Sequence, residues 1–239
     1  MGNDISDFLA SRAASAERPL MGVTVLVVED SRFACEAMRL LCLRSGARIR
    51  RADCLRSAHR HLQTYRPAVV IVDLGLPDGS GADLIAELAA LPGRSTVILG
   101  CSGGSDGEAA ALAAGADGFF AKPVESLAAF QNLILGALPP DLRPEGLHAV
   151  PDAIVRPDQL ALRDDLTQVA EVLGAAPDGA AIDYISHFLA GIALGAHDQA
   201  LREAAGSLAR AQRAGTGTGP GLARVAAMVR VRLAQGAAF

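Results

Sequence analysis

Four places in the first half of this 239-residue chain put a polar group at the end of a short apolar run. Glu29-Asp30 follows residues 23–28, Asp73 follows residues 68–72, Ser102 comes just after residues 96–99, and Lys122 closes residues 117–121. Lys122 is also the one lysine in a chain whose other basic residues are arginines. A continuous apolar run bounded by turn residues reads as a strand buried on both faces. In an open α/β sheet the carboxyl ends of such strands are where chemistry is placed. Taken alone, Asp73 reads as a cap for the turn that follows it. Together, Glu29, Asp30 and Asp73 would raise one another's pKa values unless a counter-charge intervened. A hard divalent cation supplies one, and Mg²⁺ takes one or two carboxylates, a carbonyl such as that of Gly75, and waters. Asp73 is then a candidate nucleophile, because aspartate carboxylates form acyl phosphates. Lys122 offers a point charge and Ser102 a hydroxyl for a phosphoryl group. Ser105, in the same Gly-rich loop, offers a second hydroxyl.

The elements that must hold these groups alternate. Helical stretches follow each strand: Ser31 to Gly46 with Phe33, Ala37, Leu40 and Leu41 on one stripe, then residues 53–65, 82–91, 108–114 and 125–138. Residues 47–52 form a short Arg-rich strand polar enough for a sheet edge. Strict alternation of strand and helix argues for a doubly wound parallel sheet with helices on both faces. In the order 2-1-3-4-5 the first, third, fourth and fifth strands run side by side, so their polar ends converge on one pocket.

The composition narrows the class. About half of the residues are apolar, tryptophan is absent, and the net charge of −4 gives no sign of a nucleic-acid surface. Cys35, Cys42, Cys54 and Cys101 have neither CxxC nor disulfide-framework spacing; Cys35 and Cys42, seven apart on one helix face, read as small buried hydrophobes, and a reducing cytoplasm is the simplest home. No apolar run is long enough to span a membrane, and the first residues lack a signal-peptide pattern. The five histidines form no pair at metal spacing. His59 and His61 read as solvated, His148 falls in a linker, His187 beside Phe188 reads as a partly buried satisfied side chain, and His197 as a helix-start residue.

These residues carry a resemblance to the response-regulator receiver family, over about residues 23–138. The acidic pair is Glu29-Asp30. The acceptor is Asp73, with Pro77 and Gly81 at the family's spacing. The hydroxyl position is Ser102, and Lys122 is followed by Pro123, a peptide bond commonly cis in that family. Phe119 stands where the family places its aromatic switch. The resemblance implies a flavodoxin-like (βα)5 fold and Mg²⁺-dependent phosphorylation of Asp73 by a histidine kinase or phosphotransfer protein. It further implies that Ser102 and Phe119 move in response, changing contacts with a protein target on the face of the fourth helix, fifth strand and fifth helix.

The expected organisation is a mobile arm over residues 1–20, the receiver over 21–138, a Pro-rich linker over 139–156 and a helical domain over 157–239. Beyond the linker no strand-like run occurs. Four amphipathic segments, about 157–173, 179–194, 198–214 and 219–234, predict an antiparallel four-helix bundle. Its arginines (Arg202, Arg210, Arg213, Arg224, Arg230 and Arg232) read as a solvated surface rather than a nucleic-acid face. Residues 196–208 resemble a helix of histidine phosphotransfer domains. In that register Gly206 stands where the acceptor histidine belongs, which implies a docking or dimerising module. The alternative is a relay or phosphatase in which the bundle joins the phosphoryl chemistry through His187 or His197.

Overall fold

The structure is a computed structural model that describes residues 14–143 and 153–235. The sequence readings placed on residues 1–13, including the apolar patch at Ile5, Phe8 and Leu9, and on His148 lie outside the described residues.

Five parallel strands form one sheet: β1 (Thr24–Val28), β2 (Arg48–Ala52), β3 (Val69–Asp73), β4 (Val97–Ser102) and β5 (Gly118–Ala121). Their order is β2-β1-β3-β4-β5. The helices α1 (Arg32–Ser45), α2 (Leu55–Thr64), α3 (Gly81–Ala89), α4 (Gly107–Ala113) and α5 (Leu127–Ala137) complete the alternation. The β-branched run Val69-Val70-Ile71-Val72 is buried on both faces, as an interior parallel strand must be. One apolar layer unites Val25, Val27 and Ile71 with α1 and α5, and the other unites Leu26, Val70 and Ile98 with α3 and Ala58 of α2. The Arg-rich β2 lies at the sheet edge, where its arginines reach water.

Some boundaries differ from the sequence reading for identifiable reasons. The fourth strand runs on through Gly100 and Cys101 to Ser102, because Cys101 and Ser102 pair with Phe120 and Ala121 of β5. The Leu-Gly-Leu-Pro-Asp-Gly-Ser turn closes as a small antiparallel hairpin of Gly75–Leu76 with Gly79–Ser80. The second helix starts at Leu55 rather than residue 53. The Asp78 carboxylate of that hairpin accepts hydrogen bonds from the amides of Leu55 and Arg56, at 2.8 and 3.0 Å, and so supplies the cap from outside the helix. Leu20, at the end of the expected arm, is fully buried in the first core.

Four more helices follow: α6 (Gln159–Gly174), α7 (Gly179–Gly195), α8 (Gln199–Arg213) and α9 (Gly219–Gln235). They match the four expected segments within two residues. α6 packs on α7, α7 on α8, α8 on α9 and α9 on α6, around a core of Val169, Ile185, Leu189, Ala205, Leu208 and Val229. Ala193 of α7 and Ala204 and Ala205 of α8 are buried in this core. Before this bundle, Val155 is buried in the first core and Ile154 bridges Ser126. No helix among the described residues is long and apolar enough to cross a membrane.

Candidate functional site

The sheet register sets the site. Val28 pairs with Val72, and Asp73 with Cys101, so the ends of β1, β3 and β4 finish at one level. Just beyond them stand Glu29, Asp30, Asp73, Ser102 and Lys122, all lining one cleft of about 400 Å³. The chain must turn sharply after Asp73, and Gly81 makes this possible. A Cβ at Gly81 would stand 1.9 Å from the Asp73 carbonyl oxygen, so any other residue would push the loop off its strand.

The electrostatics are unusual for a water-facing cleft. Glu29 is 3% exposed and Asp73 8%. Lys122 Nζ reaches Glu29 Oε2 at 2.7 Å and Asp73 Oδ1 at 3.1 Å. One ammonium therefore serves two buried carboxylates, with Asp30 beside them. Burial pushes Glu29 up to about 8, outweighing the attraction of Lys122, and the neighbouring Asp73 and Asp30 add to the rise. Burial also carries Asp30 up to about 6. Burial works against the Lys122 charge, but Asp73 and Glu29 together hold its pKa well above the ordinary lysine value. The cluster thus carries more carboxylate than its one cation neutralises.

That excess is the chemical case for a metal. An oxygen from each of Glu29, Asp30 and Asp73 lies within 4.8 Å of the others. Three hard oxygen donors in a partly buried cleft fit Mg²⁺. Gly75 lines the same cleft.

Ser102 accepts a hydrogen bond from the Gly104 amide at 3.2 Å, whereas the Ser105 hydroxyl turns to Asp106 outside the cleft. Phe119 stands behind Ser102, in a slot kept open by Gly100 and Gly107; a Cβ at Gly107 would come within 2.7 Å of Ser102 Cβ and 3.1 Å of Phe119 Cζ. The Lys122–Pro123 bond is cis. Pro77 sits in the hairpin, beside a second opening shared by Asp30 and Tyr184.

Sequence reasoning missed the other wall of the cleft. Asp165 of α6 is fully buried, and its carboxylate accepts from Ser31 Oγ at 2.7 Å and from the amides of Arg32 and Phe33 at 2.9 and 3.0 Å. It thus caps α1 from the other core, jointly with Ser31, whose own hydroxyl oxygen accepts from the Ala34 amide. Tyr184 of α7 donates its hydroxyl to Asp30 Oδ2 at 2.5 Å. His187 and Phe188 of α7 and Arg202 of α8 line the cleft opposite Asp73. The reading of His187 as a satisfied, partly buried side chain is corrected in its burial alone: its Nδ1 is bonded to the Asp183 carbonyl, but the side chain is exposed on the cleft, one helical step from the core-facing Ser186. Gly206 lies on α8 away from the cleft lining. His59, read as solvated, is half-buried and bonded to Glu87 at 2.8 Å. His197 has φ 55° and meets Glu125 at 3.1 Å.

The comparisons with known proteins concern the first core. Residues 25–133 match the family model of the response regulator receiver domain. Over 99 residues the chain is 33% identical to the KDP operon transcriptional regulatory protein KdpE of Escherichia coli, covering 41% of this chain and 44% of that protein. Over 103 residues it is 33% identical to the virulence transcriptional regulatory protein PhoP of Salmonella typhimurium, covering 41% and 45%. The match spans less than half the length of these curated relatives. A solved response regulator structure from Chloroflexus aurantiacus aligns with 28% identity and a TM-score of 0.44, covering 48% of this chain and 98% of that one. With the sheet order, the polar strand ends and the family match in agreement, residues 25–133 of this chain form a response regulator receiver domain.

Proposed function

We propose that this protein is a two-component response regulator whose phosphoacceptor is Asp73. The observation that carries the reading is the trio Glu29, Asp30 and Asp73 at the carboxyl ends of the adjacent strands β1 and β3, with Lys122 from the end of β5 paired to Glu29 and Asp73. The phosphodonor is the phosphohistidine of a histidine kinase or of a phosphotransfer protein, and the protein itself is cytoplasmic. A carboxylate oxygen of Asp73 attacks phosphorus as the P–N bond of the donor breaks, and an acyl phosphate forms.

Glu29, Asp30, Asp73 and the Gly75 carbonyl would hold Mg²⁺, which supplies charge neutralisation for phosphoryl oxygens when bound. Lys122 is placed to follow the new charge, and Ser102 to donate its hydroxyl to a phosphoryl oxygen. Phe119, packed behind Ser102, is the element whose rotamer that movement biases. About two added negative charges at Asp73 then shift the population between two arrangements. The protein acts as a switch rather than as an enzyme with turnover of an external substrate.

The domain division proposed is a receiver over residues 21–138, a connecting segment over 139–156 and a helical domain from 157. The helical domain is a protein-contacting module, which also admits a homodimer; Arg202 lines the cleft and Arg232 is paired with Asp198, and its other arginines are a solvated surface. The supporting observation is its placement, with Asp165 and Tyr184 seated on the receiver beside the acceptor. Small acyl-phosphate donors with Mg²⁺ test the acceptor. Base-labile phosphate on the wild-type protein and its absence from Asp73→Asn is the expected result, and equal labelling of the two would refute it.

A further inference from the structure

The cleft over Asp73 has walls from both cores, and the far wall is a single helix stripe. Tyr184, His187, Gly191 and Leu194 recur on α7 at spacings of three, four and three residues, which places them along one face. Both ends of that stripe are fixed to the receiver. Tyr184 is bonded to Asp30, and Leu194 packs over Gly103, where an added Cβ would lie 3.2 Å from Leu194 Cδ2. His187 lies between these anchors and lines the cleft with Asp73 and Lys122. Further along the stripe the helix offers no bulk: a Cβ at Gly191 would meet nothing within 4 Å. The cleft volume of about 400 Å³ accommodates a phosphoryl group between the walls.

The imidazole is set up as a nucleophile. His187 Nδ1 is 2.7 Å from the Asp183 carbonyl oxygen. A carbonyl only accepts, so Nδ1 carries a proton, and in the neutral ring the lone pair is then on Nε2. Lys122 on one wall and Arg202 on the other provide positive charge for phosphoryl oxygens. Among the described residues no other histidine lines this cleft; His197 is engaged with Glu125.

We propose that His187 exchanges a phosphoryl group with Asp73 of the same chain, making the helical bundle a phosphoryl carrier docked on its own receiver. The lone pair of Nε2 attacks phosphorus, the P–N bond forms as the P–O bond to Asp73 Oδ breaks, and the released carboxylate returns to Lys122. No oxidant or reductant takes part, and the reverse step follows the same path. The inference rests on Asp73 being the acceptor.

The experiment labels the full-length protein with radioactive acetyl phosphate and Mg²⁺ and divides the label by its chemistry. Acyl phosphate is lost in base, whereas phosphohistidine survives base and is lost in acid. The wild type is expected to carry both kinds. His187→Gln loses the base-stable label to background, His197→Gln retains it, and Asp73→Asn carries neither kind. The base-stable label forms at a rate per chain that does not change with protein concentration. Mass spectrometry of the wild type places it on His187, a readout that needs no variant to fold. Base-labile label on the wild type with no base-stable label overturns the exchange and leaves the Asp73 reading standing. Base-labile label that survives Asp73→Asn overturns the Asp73 reading instead. Base-stable label on another residue, on Asp73→Asn, or formed at a concentration-dependent rate also overturns the exchange within one chain.

Discussion

At Lys122, one side chain holds together a site that would otherwise repel itself. Its ammonium pairs with Glu29 and Asp73, both nearly excluded from water. Removing one partner of a buried pair leaves an uncompensated charge, a loss of about 3–5 kcal/mol. Lys122→Ala should therefore lower stability by about that much at pH 8 without divalent cations, by urea unfolding. The loss should shrink toward pH 6. There Glu29, whose pKa is already raised to about 8, is protonated and needs no counter-ion. Added Mg²⁺ should restore part of the stability at pH 8, because the carboxylate trio then has another cation. A loss that is equal at both pH values would show that the ammonium matters for packing rather than for charge.

Among the elements, the helix starts reveal how the two cores are built. α1 is capped by Ser31 together with Asp165 of the other core, α2 by Asp78 of the hairpin, and α8 by its own Asp198. Asp198 also forms a two-pronged ion pair with Arg232, tying the start of α8 to α9. The Arg232 hydrogen bond holds the Asp198 carboxyl below its ordinary range, with the Leu201 amide assisting against the cost of burial. A carboxyl depressed in the folded state stabilises above its unfolded pKa, and that contribution is lost as pH falls through the folded value. The bundle should therefore lose stability below about pH 4, and Asp198→Asn should flatten that acid limb while lowering stability at pH 7. Thermal unfolding across pH checks this, and an unchanged acid limb in the variant would rule out Asp198 as its source.

In the whole molecule, the bundle seats on α1 and on the loop after β3, on the acceptor side of the receiver. Two groups dominate this seat: the buried Asp165 carboxylate with three donors, and the Tyr184 hydroxyl on Asp30. Losing Asp165 leaves buried donors unpaired, at about 1–3 kcal/mol. The double variant Asp165→Ala/Tyr184→Phe should free the bundle, seen as faster proteolysis of residues 139–156 and a larger radius of gyration by solution scattering. It should also speed phosphorylation of Asp73 by acetyl phosphate, whose path the bundle narrows. An unchanged radius would place the holding energy in the apolar contacts between Phe33 and Gly195 instead.

The receiver half of the site was readable from the chain because its signals are local. Each polar group ends its own apolar strand, the turn after Asp73 demands Gly81, and strict alternation of strand and helix dictates which ends meet. The four helices of the bundle were readable for the same reason, since helical periodicity shows in each segment separately. What periodicity does not encode is the partner of a helix face. Asp165 and Ser31 are 134 residues apart, Tyr184 and Asp30 154, and no spacing connects them. His187 looked buried because its sequence neighbours are buried. A rotation of about 100° per residue separates it from them, and only the docking of α7 across the strand ends gave that exposed edge something to face.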